Sequence, residues 1–317
     1  MNPDIFAEWF RKQSQPVVRT ASSYWVQQGF GAYQAFPYHW LIEPDQNELH
    51  DLLKRSRALA LRYSTPLPGG IGCASYHAVF EGNDYDFSSL GKWARKNVRR
   101  GLAACQVEPT TFERLAEEGF LLQIDTLARQ GRRLGLEHSK WKTLCLSAGE
   151  LPGFEAWGAL VNGKLAASVI TFRMDDCYYM LYQQCLRQYL SENVNNALSF
   201  VVTNNLVKRP ETKSILYGMH SLDAPPSVDE FKFRMGYAAK PVRQRVVFHP
   251  WFKPFANSLS HTMLRGLLRI KPGNPTISKA EGMIRFYLEG NLPLEKQNWP
   301  EFLSEYKQEF LSANNHS

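Results

Sequence analysis

The segment from residue 154 to residue 184 reads FEAWGALVNGKLAASVITFRMDDCYYMLYQQ, and it decides the fold. Its first two strand-like runs, Phe154–Val161 and Leu165–Phe172, are joined by Asn162-Gly163, a pair typical of a type I′ hairpin turn. A second turn leads into a third predicted strand, Cys177–Gln184. The segment therefore predicts an antiparallel meander.

The chain after the meander predicts a parallel addition to the same sheet. Ser191 to Val207 has the pattern of a helix that opens with a Ser cap and an acidic first turn. Lys213–Gly218 is the next predicted strand. Because a helix of this length allows a crossover, we expect Cys177–Gln184 and Lys213–Gly218 to run parallel and to splay apart. A short helix over Ser227–Met235 and a β-branched strand over Val242–Phe248 follow.

The remaining segments carry weaker patterns. Residues 251–317, which contain several prolines, predict a helical appendage rather than another core. The other predicted elements are a helix within residues 1–20, one or two strands within 30–42, a helix over Asn47–Leu61, a strand over Cys73–Phe80, and helices over Phe87–Leu102 and Phe112–Gly135, the last with a glycine stop.

A cluster of cations marks the helix predicted over Phe87–Leu102. Its members recur at i, i+3, i+4, i+7 and i+8, which places them on one helix face; they are Lys92, Arg95, Lys96, Arg99 and Arg100. The opposite, apolar face is predicted to contain Leu90, Trp93, Ala94, Val98 and Leu102. We call the five cations the basic stripe. They indicate either a binding site for an anionic partner or an ordinary solvated face.

Three stretches resemble the Fem-type branch of the GNAT acyltransferases. They are the basic helix Ser88–Gly101, the hairpin Trp157–Phe172 with its Asn162-Gly163 turn, and the stretch Asp229–Tyr237. The last contains Phe231-Lys232-Phe233-Arg234-Met235-Gly236, which is similar to the family's closing Phe-Lys-x-x-x-Gly motif. The resemblance implies an α/β (α+β) fold with a GNAT-like mixed sheet flanked by helices, in a degenerate double-GNAT arrangement. It implies an N-terminal GNAT-like half at 1–110 containing basic helix 88–102, a C-terminal acyltransferase core at 111–250, and a helical extension at 251–317.

The resemblance and the positions of the predicted strands and helices together indicate site residues. Lys232 is expected at the mouth of a cleft, where an ammonium holds a phosphate or stabilises a growing oxyanion. His220 and Glu230 are candidate acid–base residues near the same end of the sheet. The basic stripe is the predicted substrate-binding surface, and Ser191, Asn193 and Asn195, at the start of a helix, are the predicted donor-binding residues.

The donor itself is left open by a departure from the family pattern. The Gln/Arg-x-x-Gly-x-Gly/Ala loop that cradles coenzyme A is replaced here by Gln188-Tyr189-Leu190-Ser191-Glu192-Asn193. Without glycine, backbone N–H groups approach a pyrophosphate less easily. Acetyl-CoA, an acyl carrier protein and an aminoacyl-tRNA therefore remain alternative donors.

The composition of the chain excludes several classes of protein. With 44% hydrophobic residues, 21% charged residues and a net charge of +7, the chain is neither disordered nor dominated by apolar spans. Asp4 and Glu8 lie where a signal peptide would be basic or apolar, which predicts a cytoplasmic protein. The five cysteines form no C-x-x-C pair and the histidines no H-E-x-x-H or H-x-H motif, so we expect reduced thiols and no metal.

Two function classes remain beside each other. The first is an acyltransferase that moves an acyl, acetyl or aminoacyl group to an amine or hydroxyl of a cell-envelope or polysaccharide precursor, with a phosphorylated or nucleotide-linked substrate. The second is a basic RNA-binding or membrane-docking module on a degenerate core, because aromatic residues accompany the cations and 252–271 is amphipathic. A peripheral position at the inner membrane face is compatible with either class.

Overall fold

The computed structural model describes residues 2–29, 31–131, 137–223 and 226–314. The helices are α1 (Pro3–Lys12), α2 (Gln46–Ser56), α3 (Lys92–Ala104), α4 (Phe112–Arg129), α5 (His138–Gly149), α6 (Val194–Val207), α7 (Pro226–Arg234), α8 (Ser258–Ile270), α9 (Pro275–Gly290) and α10 (Ser304–Asn314). The strands are β1 (Val17–Arg19), β2 (Tyr24–Gln27), β3 (Ala32–Phe36), β4 (Ala60–Thr65), β5 (Cys73–Glu81), β6 (Gln106–Thr110), β7 (Phe154–Val161), β8 (Lys164–Met174), β9 (Cys177–Cys185), β10 (Ser214–Met219) and β11 (Ala238–Phe248).

Two units interleave along the chain. The first unit consists of Met1–Ser14, Ala78–Gly218 and Ala224–Ala238. The second unit consists of Gln15–His77, Met219–Asp223 and Ala239–Ser317. The boundaries predicted at 110 and 250 do not coincide with these units, because the chain passes between the units several times.

The sheet of the first unit contains the predicted meander. Its strand order is β10-β9-β8-β7-β6, with antiparallel β6–β7, β7–β8 and β8–β9 pairs. Asn162 and Gly163 both have positive φ, at 51° and 76°, as the type I′ turn requires. Helix α6 then crosses over to β10, which pairs parallel to β9. The predicted order and the parallel direction are confirmed.

Helices cover this sheet with apolar side chains. Val98 of α3, Leu198 of α6 and Ile215 of β10 are buried in one core cluster. Helix α1, which the sequence predicts within residues 1–20, contributes Phe6, whose ring stacks on Phe172 of β8 at 4.9 Å between centroids. Aromatic contacts of this kind stabilise a core beyond the area that they bury.

Strands of the second unit pair in the order β1-β2-β3-β4-β11. β3 and β4 pair parallel, and β4 and β11 pair antiparallel. The leucines of α2 are buried as their helical spacing predicts; they are Leu49, Leu52 and Leu53. The predicted helix over Asn47–Leu61 is too long, because Arg57 adopts the left-handed conformation that ends α2, and Leu61 lies in β4.

The C-terminal residues contribute to the core of the second unit. Met283, Ile284 and Phe286 of α9 are buried in one cluster with Val246 and Phe248 of β11. The appendage predicted for 251–317 is therefore helical, but part of it completes a core. Helix α9 has too many apolar residues to be stable as a detached helix in water, and it packs them against β11.

Three further differences concern residues 106–149. The helix predicted from Phe112 ends at Arg129, and the predicted stop at Gly135 lies outside the described residues. Helix α5 and strand β6 were not predicted. β6 is an edge strand whose residues are only partly buried, so it lacks the apolar alternation that identifies a strand.

Candidate functional site

The parallel strands β9 and β10 separate within the first unit. Among the described residues, their registered pairs are Ser214↔Cys177, Ile215↔Tyr178 and Leu216↔Tyr179, and pairing stops there. The predicted splay is confirmed. An opening between parallel strands exposes backbone and side-chain groups at the carboxyl end of a sheet, where ligands of α/β proteins commonly bind.

A β-bulge in β9 lies just beyond the residues that pair with β10. The pairing with β8 jumps from Ile170↔Leu181 to Ser168↔Gln184, so that Tyr182 and Gln183 together oppose Val169. Tyr182 has a φ of 49°, a left-handed conformation that is uncommon for a bulky residue. A bulge bends its strand and redirects its side chains, and bulges are frequent beside active sites. Sequence patterns do not indicate this bulge.

A chain of polar side chains spans the opening. The Tyr217 hydroxyl of β10 donates to Gln183 Oε1 at 2.5 Å, and Gln183 Nε2 donates to Asn195 Oδ1 at 2.9 Å. Burial raises the pKa of Tyr217 well above its ordinary value, so the phenol stays protonated at neutral pH. We call Tyr217, Gln183 and Asn195 the polar bridge. It joins β10, β9 and the first turn of α6.

The predicted donor-binding residues lie at the start of α6. Asn195 belongs to the polar bridge. Asn193 has a φ of 61° and its side chain donates to the Ser191 carbonyl oxygen at 3.3 Å. Gly101 of α3 lies against Asn193, since a Cβ on Gly101 would come within 2.3 Å of the Asn193 carbonyl oxygen. The structure thus brings Asn195 to the opening, while Ser191 remains exposed.

Several backbone N–H groups in the loop between β9 and α6 are engaged within the protein. The N–H groups that donate to acceptors within the protein are those of Leu186, Arg187, Tyr189, Leu190 and Asn193. The acceptor for Arg187 N–H is the carboxylate of Asp125, which repels phosphate. A pyrophosphate needs free, converging N–H groups, and here these donors are already engaged.

Lys232 is buried, with only 7% of its surface exposed. Its Nζ donates to Asp229 Oδ1 at 2.6 Å and lies 5.7 Å from the ring centroid of Tyr217. Lys232 does not have the exposed position expected at the mouth of a cleft, because the i, i+3 carboxylate of Asp229 holds its ammonium in a buried pair. The structure instead brings Lys232 beside the polar bridge.

The other two predicted acid–base residues have structural partners. Glu230 accepts from Arg234 on the exposed side of α7 at 3.0 Å. His220 belongs to the second unit, where its ring stacks on Tyr76 at 4.6 Å and its Nδ1 lies 3.3 Å from Ser75 Oγ. A catalytic role for Glu230 or His220 stays a prediction.

The basic stripe lies on α3 as predicted. Lys92, Lys96, Arg99 and Arg100 are exposed and Arg95 is half-buried. Within the described ranges, no carboxylate lies within ion-pair distance of these cations. The buried face consists of Ala94, Asn97, Val98 and Gly101.

Two members of the predicted apolar face are in fact exposed. Trp93 is 58% exposed and Leu102 is 38% exposed, because helix α6 packs against the side of α3 that contains Gly101. Arg234 of α7 lies over the Trp93 ring at 5.1 Å, so α7 contacts α3 at this position.

A cavity of about 430 Å³ lies within the second unit. Its walls are mostly apolar, and Arg62, Lys279, Ser221 and Asp223 supply the polar groups. Arg62 donates to Gln244 Oε1 and to the His220 carbonyl oxygen, and burial lowers its pKa to about 10. The cavity is large enough for a small ligand that combines an apolar body with a polar group.

Thiol and metal chemistry have little support in the described residues. Cys73, Cys145, Cys177 and Cys185 are buried and Cys105 is half-buried, all as free thiols. Burial raises the pKa of Cys145 and Cys177 to about 12, which disfavours the nucleophilic thiolate. Across the described ranges, no cluster of His, Cys, Asp or Glu could hold a metal ion. The helices described there are too short or too polar to cross a membrane.

Solved structures share this fold at low sequence identity. The C-terminal domain (DUF2156) of a putative lysylphosphatidylglycerol synthetase from Agrobacterium fabrum is 11% identical, with a TM-score of 0.53 over 84% of this chain and 94% of that one. FemX is 10% identical, with a TM-score of 0.53 over 79% of this chain and 92% of that one. A conserved protein of unknown function from Bacteroides thetaiotaomicron is 12% identical, with a TM-score of 0.50 over 76% and 88% of the two chains.

The chain shares its fold with FemX. This likeness confirms the fold predicted from the meander, the basic helix and the closing motif. No protein-family profile and no curated protein sequence matches the chain. At identities near these values, similarity establishes the fold and not the activity.

The polar bridge contains residues that the sequence did not indicate. Tyr217 and Gln183 are 34 positions apart, and neither belongs to a recognised motif. The available signal was indirect: both residues follow the paired part of strands that were predicted to be parallel and to splay. Side chains at such a position are candidates for a site.

Proposed function

We propose that this protein is an acyltransferase that transfers an acyl or aminoacyl group to an amine or hydroxyl of a phosphorylated or nucleotide-linked cell-envelope or polysaccharide precursor. The observation that carries the proposal is the polar bridge across the β9–β10 opening. The bridge combines a neutral phenol, an amide and the first turn of a helix in a fold used by FemX.

The proposed reaction is attack of the acceptor nitrogen or oxygen on the donor carbonyl carbon. The C=O electron pair moves to oxygen, the tetrahedral intermediate collapses, and the bond to the carrier oxygen or sulfur breaks. One acceptor proton is transferred to that leaving atom, so that an amide or ester and the free carrier result. Tyr217 is the proposed hydrogen-bond donor to the growing oxyanion or the leaving atom, since its raised pKa keeps its proton available.

Lys232 is proposed to be a positioning residue for Tyr217. Its ammonium lies 5.7 Å from the Tyr217 ring centroid, and its pairing with Asp229 fixes it there. A cation over an aromatic face is attracted by the ring quadrupole. Lys232 would therefore restrict the phenol to the orientation in which it reaches Gln183 or the substrate.

An aminoacyl-tRNA or an acyl carrier protein is the proposed donor class, rather than acetyl-CoA. Five N–H groups of the β9–α6 loop are engaged, and the Asp125 carboxylate accepts from one of them. A macromolecular carrier does not depend on this loop, because its phosphates can bind elsewhere. The basic stripe, with five cations and no described carboxylate partner, is the proposed surface for these phosphates or for those of the acceptor.

An RNA-binding role without transfer is the second candidate. The specific observation in its favour is the exposed Trp93 next to the basic stripe, since aromatic rings beside cations stack on unpaired bases. An acyltransferase that uses an aminoacyl-tRNA would also bind RNA. The two candidates differ in whether a group leaves the donor.

A donor comparison tests the proposal. Full-length protein is incubated with a radiolabelled aminoacyl-tRNA pool, acyl carrier protein charged with a labelled acyl group, or labelled acetyl-CoA, each with a fraction of phosphorylated envelope precursors. Transfer of label from one of the two carriers to precursor, absent in Tyr217→Phe, is the expected result. Binding of tRNA without transfer from any donor would favour the RNA-binding candidate and overturn the enzyme.

A further inference from the structure

The outer face of α8 is apolar and exposed. Leu259, Met263, Leu267 and Ile270 recur at i, i+4, i+8 and i+11, and so form one stripe along the helix. Ile270 is 76% exposed and Leu259 is 70% exposed. Apolar side chains of this size normally cover a core, so a continuous row in water indicates a contact surface. We call these residues the α8 stripe.

The opposite face of α8 anchors the helix to its own unit. His261 Nε2 lies 2.8 Å from Glu281 Oε1 of α9, and Leu264 packs against the core cluster of α9 and β11. The Asn257 side chain accepts from Ser260 N–H at 3.0 Å and caps the helix. Helix α8 is therefore held in an orientation that presents the α8 stripe outward.

Cations and aromatic rings border the stripe. With a turn every 3.6 residues, Arg269 lies beside one edge of the stripe and Lys271 beside the other. The stretch 252–271 contains no Asp or Glu. Among residues with described positions, Arg265, Arg269 and Lys271 have no carboxylate within ion-pair distance. The preceding segment adds the exposed rings of Trp251 and Phe255.

We propose that the α8 stripe docks this protein on an anionic lipid surface. An interfacial helix places apolar side chains at the boundary of headgroups and acyl chains, while Lys and Arg at its edges contact lipid phosphates. Trp and Phe favour the same boundary. A protein partner would more often offer carboxylates at defined points, whereas cations on both edges of a row match a uniformly anionic plane. This docking concerns the second unit and does not depend on transfer at the polar bridge.

Vesicle sedimentation of the full-length protein tests the docking. Vesicles of phosphatidylcholine alone are compared with vesicles in which a third of the lipid is phosphatidylglycerol, at low and at high salt. We expect binding to the anionic vesicles, weakened by salt. The double variant Leu259→Asp/Ile270→Asp should bind at least about tenfold more weakly, because it places charge in the apolar contact.

Two controls distinguish binding through the α8 stripe from non-specific binding to vesicles. Leu121 of α4 is 65% exposed in the first unit, and Leu121→Asp should leave vesicle binding unchanged. Arg269→Ser/Lys271→Ser should reduce the preference for anionic over neutral vesicles. Thermal unfolding of every variant confirms that these exposed substitutions leave the fold intact.

Three results would overturn the docking. One is equal sedimentation of wild type and Leu259→Asp/Ile270→Asp with anionic vesicles. Another is equal binding to neutral and anionic vesicles at low salt. The third is a wild-type dimer in analytical ultracentrifugation that the double aspartate variant dissociates, without vesicle binding, which would assign the stripe to a second copy of the chain.

Discussion

Lys232 and Asp229 form an ion pair that is almost completely buried on α7. The cost of removing two charges from water is offset only while the two charges form an ion pair. A buried charge that loses its ion pair strongly destabilises the fold. At the scale of the residue, the stability of α7 therefore depends on a pair that the sequence shows only as Asp and Lys three positions apart.

Lys232→Ala should destabilise the protein by about 3–5 kcal/mol, because the buried Asp229 carboxylate loses its ion pair with Lys232. The double variant Asp229→Ala/Lys232→Ala should recover part of this loss, since it removes both charges. The free energy of unfolding from urea titrations gives the comparison. Arg234→Ala, on the same helix but at an exposed pair, is the control and should cost less than about 1 kcal/mol. An unchanged urea midpoint for Lys232→Ala would contradict the buried pair.

His77 supplies a pH test within the second unit. Burial lowers its pKa to about 3 from an ordinary value of 6.5, and its Nε2 lies 2.8 Å from Ser64 Oγ. Below pH 6.5 the unfolded chain gains a proton there and the folded chain does not, so stability falls as pH decreases. His77→Gln should reduce that fall by about 1.4 kcal/mol per pH unit. Urea titrations between pH 6 and pH 4 measure it, and identical slopes would show that His77 titrates normally when folded.

Helices α3 and α6 touch through a residue without a side chain. Gly101 approaches the Asn193 carbonyl oxygen so closely that a Cβ would lie 2.3 Å from it. At the scale of the element, this contact fixes where α6 begins, and Asn195 of the polar bridge lies in its first turn. A glycine within a predicted helix is weak evidence by itself, so the sequence could not predict the contact.

Gly101→Ala should therefore destabilise the protein by about 1–3 kcal/mol, because α3 and α6 must move apart. Gly266 of α8 is the matched control: a Cβ there meets nothing within 4 Å. Gly266→Ala should be neutral or stabilise by up to about 1 kcal/mol through helix propensity. The melting temperatures of both variants test this prediction. Equal shifts in the same direction would contradict the close approach of Gly101 to the Asn193 carbonyl oxygen.

The basic stripe allows a prediction about salt. Lys96→Ala/Arg100→Ala removes two exposed cations and should leave the melting temperature unchanged. Affinity for a single-stranded RNA oligonucleotide should fall, and the slope of log Kd against log salt should decrease by about 1.4. Lys140→Ala/Lys142→Ala on α5 removes two exposed cations that have carboxylate partners and should leave the slope as in wild type. Equal slopes for all three proteins would reduce the stripe to a solvated face.

At the scale of the whole molecule, local patterns predicted the elements and long-range packing determined the site. Turn chemistry at Asn162-Gly163 and the length of α6 were sufficient for the meander and the parallel strand. The interleaved units were not predictable, because no linker composition marks the returns of the chain. The bulge at Tyr182 and the burial of Lys232 depend on neighbours distant in sequence. Lys232 lies on α7 as predicted, but it is buried rather than exposed.

The central claim is that the polar bridge carries out acyl transfer, and a single-turnover measurement tests it most directly. The rate constant for transfer from the donor identified in the comparison above is measured for wild type and for Tyr217→Phe, with donor affinity and melting temperature recorded for both. Loss of the Tyr217 hydroxyl should lower the rate constant about a hundredfold, because its hydrogen bond stabilises mainly the transition state. The affinity for the acyl donor should be retained. Equal rate constants for two folded proteins that bind donor equally would contradict the claim.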